Sequence, residues 1–164
     1  MIAGKYLLVT FDDKQKLTDA AEKLNTVDSI RSWDAVDGHY HLLVNANSDS
    51  DTAADSIKAL DGFSSLTECV IETDNQKNYD LDDSFTYAYL FIESDSDSKQ
   101  DLSVKLNLLD NIEFCSETSG PFTHIALVKD ENFDKIDKFI KREVKDLDGI
   151  LRYKQDYVLF LDRM

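Results

Sequence analysis

The sequence predicts an α+β fold made of two tandem copies of one β-α-β-β-α-β unit. Three observations carry this. First, Leu24-Asn25-Thr26-Val27-Asp28-Ser29-Ile30 recurs as Leu106-Asn107-Leu108-Leu109-Asp110-Asn111-Ile112, 82 residues later. Second, the same spacing brings Gly38 onto Gly120, Tyr40 onto Phe122 and Leu43 onto Ile125. Third, Leu60-Asp61-Gly62 recurs as Leu147-Asp148-Gly149 at a spacing of 87, which places five extra residues in the second copy, most simply in its longer second helix.

The elements follow in order. Lys5 to Phe11 reads as a strand, rich in Tyr, Leu, Val and Thr. Asp12, with Gln15 three residues on, suits a helix cap, and Leu17, Ala20, Ala21 and Leu24 share one helical face. Strands are expected over 29–36 and 39–45, joined by an Asp37-Gly38 hairpin turn. The loop Ser48 to Asp51 precedes a short helix carrying Ala53, Ala54, Ile57 and Leu60, Gly62 stops it, and Leu66 to Glu72 is the fourth strand. The second copy gives a strand over 85–92, a helix capped at Asp95-Ser96-Asp97, strands over 111–118 and 121–129 around Gly120-Pro121, a helix from Phe133 to Leu147, and a strand over 150–161.

This order suits a ferredoxin-like sandwich, with helices on one face of an antiparallel sheet. The central strands are apolar at both parities: His124-Ile125-Ala126-Leu127-Val128 shows it, as do the neighbours Leu42 and Leu43. Such strands need cover on both faces. The expectation is therefore two sandwiches with sheets packed face to face, as in a dimeric α+β barrel, within the chain or between chains of a homo-oligomer. The repeats are placed at 1–73 and 84–164, with the polar run 74–83 as linker.

Composition narrows function. The chain has 164 residues, 42% hydrophobic, enough for a packed core. Net charge is -15, and the four arginines lie far apart, which argues against direct nucleic-acid binding and against an anionic membrane surface. No apolar run approaches the ~20 residues that span a bilayer, and the first residues do not read as a signal peptide, so a cytoplasmic location is expected. Cys69 and Cys115 sit in apolar runs and read as reduced core thiols.

The segment Ile30 to Val44 with its Gly38-His39-Tyr40-His41 step, followed by a helix and then Gly62-Phe63, resembles the effector-binding module of Lrp/AsnC-type regulators. Copy two offers Gly120-Pro121-Phe122-Thr123 and Gly149-Ile150 in the same places. The family pattern has Asp where this chain has His41 and Thr123. The chain resembles a stand-alone effector module, doubled, without the helix-turn-helix. The resemblance implies a regulatory, oligomerising module that binds an amino acid or similar small metabolite near Gly38, Tyr40, His41, Gly120, Phe122 and Thr123. A related branch decarboxylates sirohaem, a carboxylate-rich substrate that calls for more arginine than this chain has.

Other candidates are weaker. Arg31 and Trp33 share a face of the second strand and suit the floor of a carboxylate pocket, although packing between sheets explains them as well. His39 and His41 lie two apart on the predicted third strand and suit the start of a metal site, but no third ligand is identifiable. His124 has the opposite parity and reads as a hydrogen-bonded core histidine. Asp49-x-Asp51 and Asp95-x-Asp97 read as helix caps rather than calcium ligands, and Asp82-Asp83 as solvated linker. No nucleophile elbow, Walker A or dinucleotide fingerprint occurs. The expectation is a non-enzymatic ligand-binding module with no cofactor. The rivals are a haem- or metal-dependent enzyme on a dimeric α+β barrel and a structural adaptor for a basic partner.

Overall fold

The computed structural model describes residues 4–47, 51–73 and 81–159. The first strand β1 (Gly4–Phe11) leads through a 3-10 turn at Lys14–Lys16 into α1 (Leu17–Leu24), then β2 (Ile30–Asp37), β3 (Leu42–Asn47), α2 (Thr52–Lys58) and β4 (Phe63–Ile71). The second series is β5 (Thr86–Ser94), a 3-10 turn at Ser96–Ser98, α3 (Lys99–Asn107), β6 (Ile112–Ser119), β7 (His124–Asp130), α4 (Phe133–Phe139) and β8 (Ile150–Leu159). The fold is α+β with antiparallel strands and few helices. Two compact units emerge: one runs to Ile71 and takes in Leu159, the other spans Glu72–Val158. The expected linker falls largely on 74–80, outside the described residues, as does the loop 48–50. Asp82, at its end, holds a turn by accepting from the Ser84 amide and hydroxyl, and these bonds keep its carboxyl below the usual carboxylate range.

In the first unit β1 pairs with β3 and β4, and β3 with β2, giving the order β4-β1-β3-β2. In the second, β5 pairs with β7 and β8, and β7 with β6, giving β8-β5-β7-β6. Helix residues Leu17, Ala20, Leu24 and Ile57 pack on Leu7, Val9, Leu42 and Val44; the side chain of Ala21 lies outside the described set. Leu102, Leu106, Ile136 and Ile140 pack on Leu90, Ile92, Ala126 and Val128. The strand residues of the other parity are buried too: Tyr6, Leu8 and Leu43 in one unit, Tyr89, Phe91, Ile125 and Leu127 in the other. Both faces of the central strands are thus withdrawn from water, as their composition requires.

The same backbone bonds recur in each unit. The amide of Asp12 donates to the Gly62 carbonyl at 2.8 Å, and that of Asp95 to the Gly149 carbonyl at 2.8 Å. Both glycines need positive φ, 85° and 96°. Each first strand breaks register just before this bond, between Thr10 and Phe11 and between Glu93 and Ser94. The five extra residues of the second unit also have a location. The helix that is seven residues long in α2 continues beyond α4 as a π turn, Ile140–Val144, closed by the Lys145 amide on the Ile140 carbonyl at 2.8 Å.

Several local expectations are corrected. Asp13, not Asp12, caps the first helical segment, its carboxylate accepting the Gln15 amide at 2.9 Å, because a 3-10 turn delays the helix. Asp95 does accept the Asp97 amide, but Asp51 makes no capping bond before α2 and lies 3.7 Å from the Lys5 ammonium instead. The hairpin loops are longer than a two-residue turn: β3 starts at Leu42 and β7 at His124, so 38–41 and 120–123 are loop. His39 and His41 therefore do not sit two apart on a strand.

Gly149 is the more constrained of the two helix-stop glycines. A Cβ there would lie 2.4 Å from Ser98 Cβ, whereas at Gly62 it meets the flexible Lys16 chain at 3.1 Å. Gly149→Ala is expected to cost about 2–3 kcal/mol and Gly62→Ala about 1 kcal/mol, both from forced positive φ and the first also from the clash. Urea denaturation of the two variants gives the ranking; equal losses would show that the Ser98 contact is irrelevant.

Candidate functional site

The face of the second unit turned away from its helices gathers the chemistry. Antiparallel partners share a face, so register gives its rows directly. One row is Asp156, Tyr89, Leu127 and Phe114; the next is Lys154, Phe91, Ile125 and Ser116. Phe122 adds its ring at the end of the second row, 5.5 Å from Phe91, and Tyr89 meets Phe114 edge-on at 6.4 Å. Such pairs add about 0.5–1.5 kcal/mol each beyond burial and fix the rings in place. Two lysines lay their ammonium groups on aromatic rings: Lys154 over Phe122 at 5.9 Å, and Lys129, opposite Tyr87, over Phe85 at 4.1 Å.

Among these rings lie three polar residues with no exposure, Asp156, Ser116 and Thr118, the last donating to the Phe122 carbonyl. The Ser116 hydroxyl has no hydrogen-bond partner in the protein, a state that costs roughly 1–3 kcal/mol for a buried group. At the end of the face the loop Ser119–Pro121 is exposed, as are Lys154 and Arg152. Arg152 is committed to Glu93, whose carboxyl that bond holds below the usual range. The matching face of the first unit places Cys69 opposite Tyr6 as Asp156 stands opposite Tyr89, and Asp34 opposite Leu43 as Ser116 stands opposite Ile125.

The residues expected from sequence are distributed as follows. Phe122 joins the aromatic face, 7% exposed. Thr123 and His41 do matching backbone work: Thr123 Oγ1 accepts the Ser94 amide at 2.9 Å, and His41 Nδ1 accepts the Phe11 amide at 2.8 Å. The position where the resembled family has Asp is thus used in both units to hold the amide freed by the register break. Gly38 and Gly120 carry positive φ, 152° and 118°, in the two loops, and Tyr40 is half-buried beside His41. Arg31 and Trp33 do not share a floor. The register shift between Ile30 and Ser32 turns Trp33 onto the helix-facing core, its Nε1 donating to Asn25, while Arg31 donates to Asn47. His39 is exposed. Among the described residues no three His, Cys, Asp or Glu side chains cluster as a metal site would require, and no helix there is long and apolar enough to cross a membrane.

Sequence reasoning missed Asp156, Ser116, Tyr89, Phe91, Phe114 and Lys154. A signal existed: Phe85, Tyr87, Tyr89 and Phe91 repeat at period two, one face of a strand.

No family model matches the sequence, and no curated protein matches it. Solved structures do. The siroheme decarboxylase NirDL matches with a TM-score of 0.70 at 9% identity, covering 96% of this chain and 72% of that one. The fold is shared with it. A protein described as "putative monooxygenase" from Lactobacillus acidophilus NCFM matches with a TM-score of 0.57 at 9% identity, over 96% of this chain and 92% of that one. AsnC of Escherichia coli matches about half the chain, 52%, and 61% of its own, with a TM-score of 0.45 at 16% identity. These findings overturn the expectation of a chain without catalysis, because structures that match nearly its whole length are described as enzymes.

His124 is buried on the helix-facing side. Its Nε2 lies 3.0 Å from the Lys99 carbonyl and 3.0 Å from Ser103 Oγ, and its Nδ1 lies 2.9 Å from Thr123 Oγ1. A carbonyl only accepts, so Nε2 carries a proton, and in the neutral ring Nδ1 accepts from Thr123. Burial holds the imidazole below its usual pKa, against the opposing pull of the Lys99 carbonyl, Glu117 and Glu72. A depressed histidine pKa means the unfolded chain binds the proton first as pH falls. Stability is therefore expected to decline from about pH 6.5 downward, and His124→Gln is expected to flatten that slope in urea melts between about pH 7.5 and 5.5; an unchanged slope would assign the effect elsewhere.

Cys115, fully buried, has its thiol pushed up to about 12 by burial, with Glu117 adding to it. Both cysteines are expected to resist alkylation at neutral pH until the chain unfolds, read by mass spectrometry with and without urea. Labelling of Cys115 in the folded protein would contradict its burial.

Proposed function

We propose that the chain binds a small ring-bearing metabolite on the aromatic face of its second unit, entering beside the Ser119–Pro121 loop. The observation that carries this is the row structure itself. Tyr89, Phe91, Phe114 and Phe122 lie together on one sheet face with Asp156 and an unpartnered Ser116 hydroxyl among them. Apolar walls with a few placed polar groups are what small-molecule sites consist of. This keeps the ligand-binding part of the sequence expectation and moves the site from the loops to the strands. Like the effector modules the sequence resembles, a regulatory chain of this kind works by population shift, the ligand favouring one state over another.

A second reading, that the bound molecule is also transformed, is favoured by Asp156. Asp156, buried in the row of Tyr89, is an acidic side chain on that face. The full-length fold likeness to a siroheme decarboxylase supports an enzyme in general, not that substrate. An acidic macrocycle needs cations, and on this face Lys154 and Lys129 already sit on aromatic rings while Arg152 holds Glu93.

A panel of one- and two-ring metabolites is expected to contain members that raise the melting temperature by about 5–10 °C near 100-fold saturation, since binding at that excess adds about 2.7 kcal/mol. Phe91→Leu, which removes a ring but keeps most of the volume, is expected to weaken the shift while leaving the fold intact. If no panel member shifts the melt, or Phe91→Leu binds as the parent does, the proposed site is wrong. Mass spectrometry of the recovered ligand reports turnover.

A further inference from the structure

We infer that the first unit carries a binding site of its own, a cleft between the ends of α1 and α2 that takes a short aliphatic carboxylate through Lys23; it is independent of the aromatic face proposed above.

Both helices of the first unit end at this cleft. Its volume is about 330 Å³, at the lower end of the range for small-molecule sites. Leu24, Val27, Ala59 and Leu60 give it apolar walls, and Lys23, Thr26 and Ser56 supply its polar groups. Leu24 and Leu60 belong to the core beneath, so the floor is ordered by packing. Among the described residues the Lys23 ammonium forms no ion pair and the Ser56 hydroxyl no hydrogen bond. Both are available to a ligand.

The second unit shows how the cleft arises. The same turn bonds close both units here. The amides of Thr26 and Leu108 donate to the carbonyls of Lys23 and Lys105, and those of Leu60 and Leu147 to Ile57 and Val144. Residues therefore match one to one. Lys23 matches Lys105, but Ser56 and Ala59 match Glu143 and Asp146, and Thr26 matches Leu108. Every one of these three is smaller in the first unit, and two of the changes remove a carboxylate. Space and an uncompensated ammonium appear together.

The lining selects the chemistry. Lys23 is its one charged residue. A ligand carboxylate pairs with that ammonium and accepts from the Ser56 hydroxyl, while a short aliphatic tail lies on the leucines. A free amino acid would add an ammonium that meets no acidic side chain here. The helix-end carbonyls of Lys23 and Leu24 that could receive it already accept from Thr26 and Val27. The net charge of -15 opposes anions at long range. At physiological salt that repulsion is screened beyond about 8 Å, and the lining itself holds no acid.

Three probes with one branched tail separate the cases: 3-methylbutanoate, 3-methylbutanamide and leucine. Each is titrated into the isotope-labelled full chain at neutral pH and low salt, followed by two-dimensional NMR. The carboxylate is expected to shift the amides of Thr26, Val27, Ser56 and Ala59. It is expected to bind about three- to fivefold more tightly than the amide or leucine, the size of an exposed ion pair. Lys23→Gln is expected to bring the carboxylate down to the affinity of the amide. Ser56→Glu, which copies the second unit, is expected to abolish binding by filling the cleft and pairing the lysine. Lys23 is exposed and Ser56 half-buried, so both variants are expected to keep the parent spectrum elsewhere. Phe91→Leu is expected to leave the titration unchanged, which separates this site from the aromatic face. If the amide or leucine binds as tightly as the carboxylate, the assigned ligand class is overturned. If the carboxylate shifts no amide of the cleft, or Ser56→Glu binds it as the parent does, the site itself is overturned, and the aromatic face stands or falls by its own panel.

Discussion

Everything in this fold follows from strands that are apolar at both parities. In an ordinary half-exposed sheet, alternation of polar and apolar residues sets the register, because a one-residue slip would turn the wrong side outward. Tyr6 to Val9 and Leu90 to Ile92 give no such instruction, since every one of these side chains is buried. The register must be fixed at the strand ends. The structure does this with a break in each first strand, a positive-φ glycine whose carbonyl receives the next amide, and a side chain, His41 or Thr123, that catches the amide freed by the break. These latches account for the short motifs that the two units share.

The helices then have little left to decide. They cover one face, where Leu24 and Ile57 in one unit and Leu106 and Ile140 in the other pack with rings such as Phe11 and Phe139. On the opposite face of the second unit, Tyr89, Phe91 and Phe114 lie with a carboxylate and a hydroxyl among them. The fold itself is shared with proteins described as enzymes, and a fold of this kind carries many activities. What distinguishes this chain is the set of residues on that surface.

The order of elements was legible from sequence because helical stripes such as Leu102, Leu106 and Leu109 and glycines such as Gly62 and Gly149 report local requirements. The spacing change from 82 to 87 was likewise physical, and it surfaces as one wide helical turn at Ile140–Val144. The site was not legible in the same way. Gly38, His41 and Thr123 stand out in a motif because backbone latches demand particular residues at particular spacings. Asp156 and Ser116 stand out only once the pleat and the pairing put them beside Tyr89 and Phe91, across gaps of more than twenty residues. Arg31 and Trp33 misled for a related reason: a register shift inside the strand reverses the parity on which their pairing depended. Loop lengths were misjudged because Asp37-Gly38 and Gly120-Pro121 look like complete turns, yet the following residues are engaged by the first strands before the third strands begin.

The two halves hold their chemistry in one frame but do not repeat it. Opposite the matched tyrosines, one half keeps the thiol of Cys69 and the other the carboxylate of Asp156; where one half keeps Asp34, the other has Ser116. A frame secured at its strand ends leaves these interior positions at liberty to diverge. A distinctive set of side chains on one unit therefore needs no counterpart on the other.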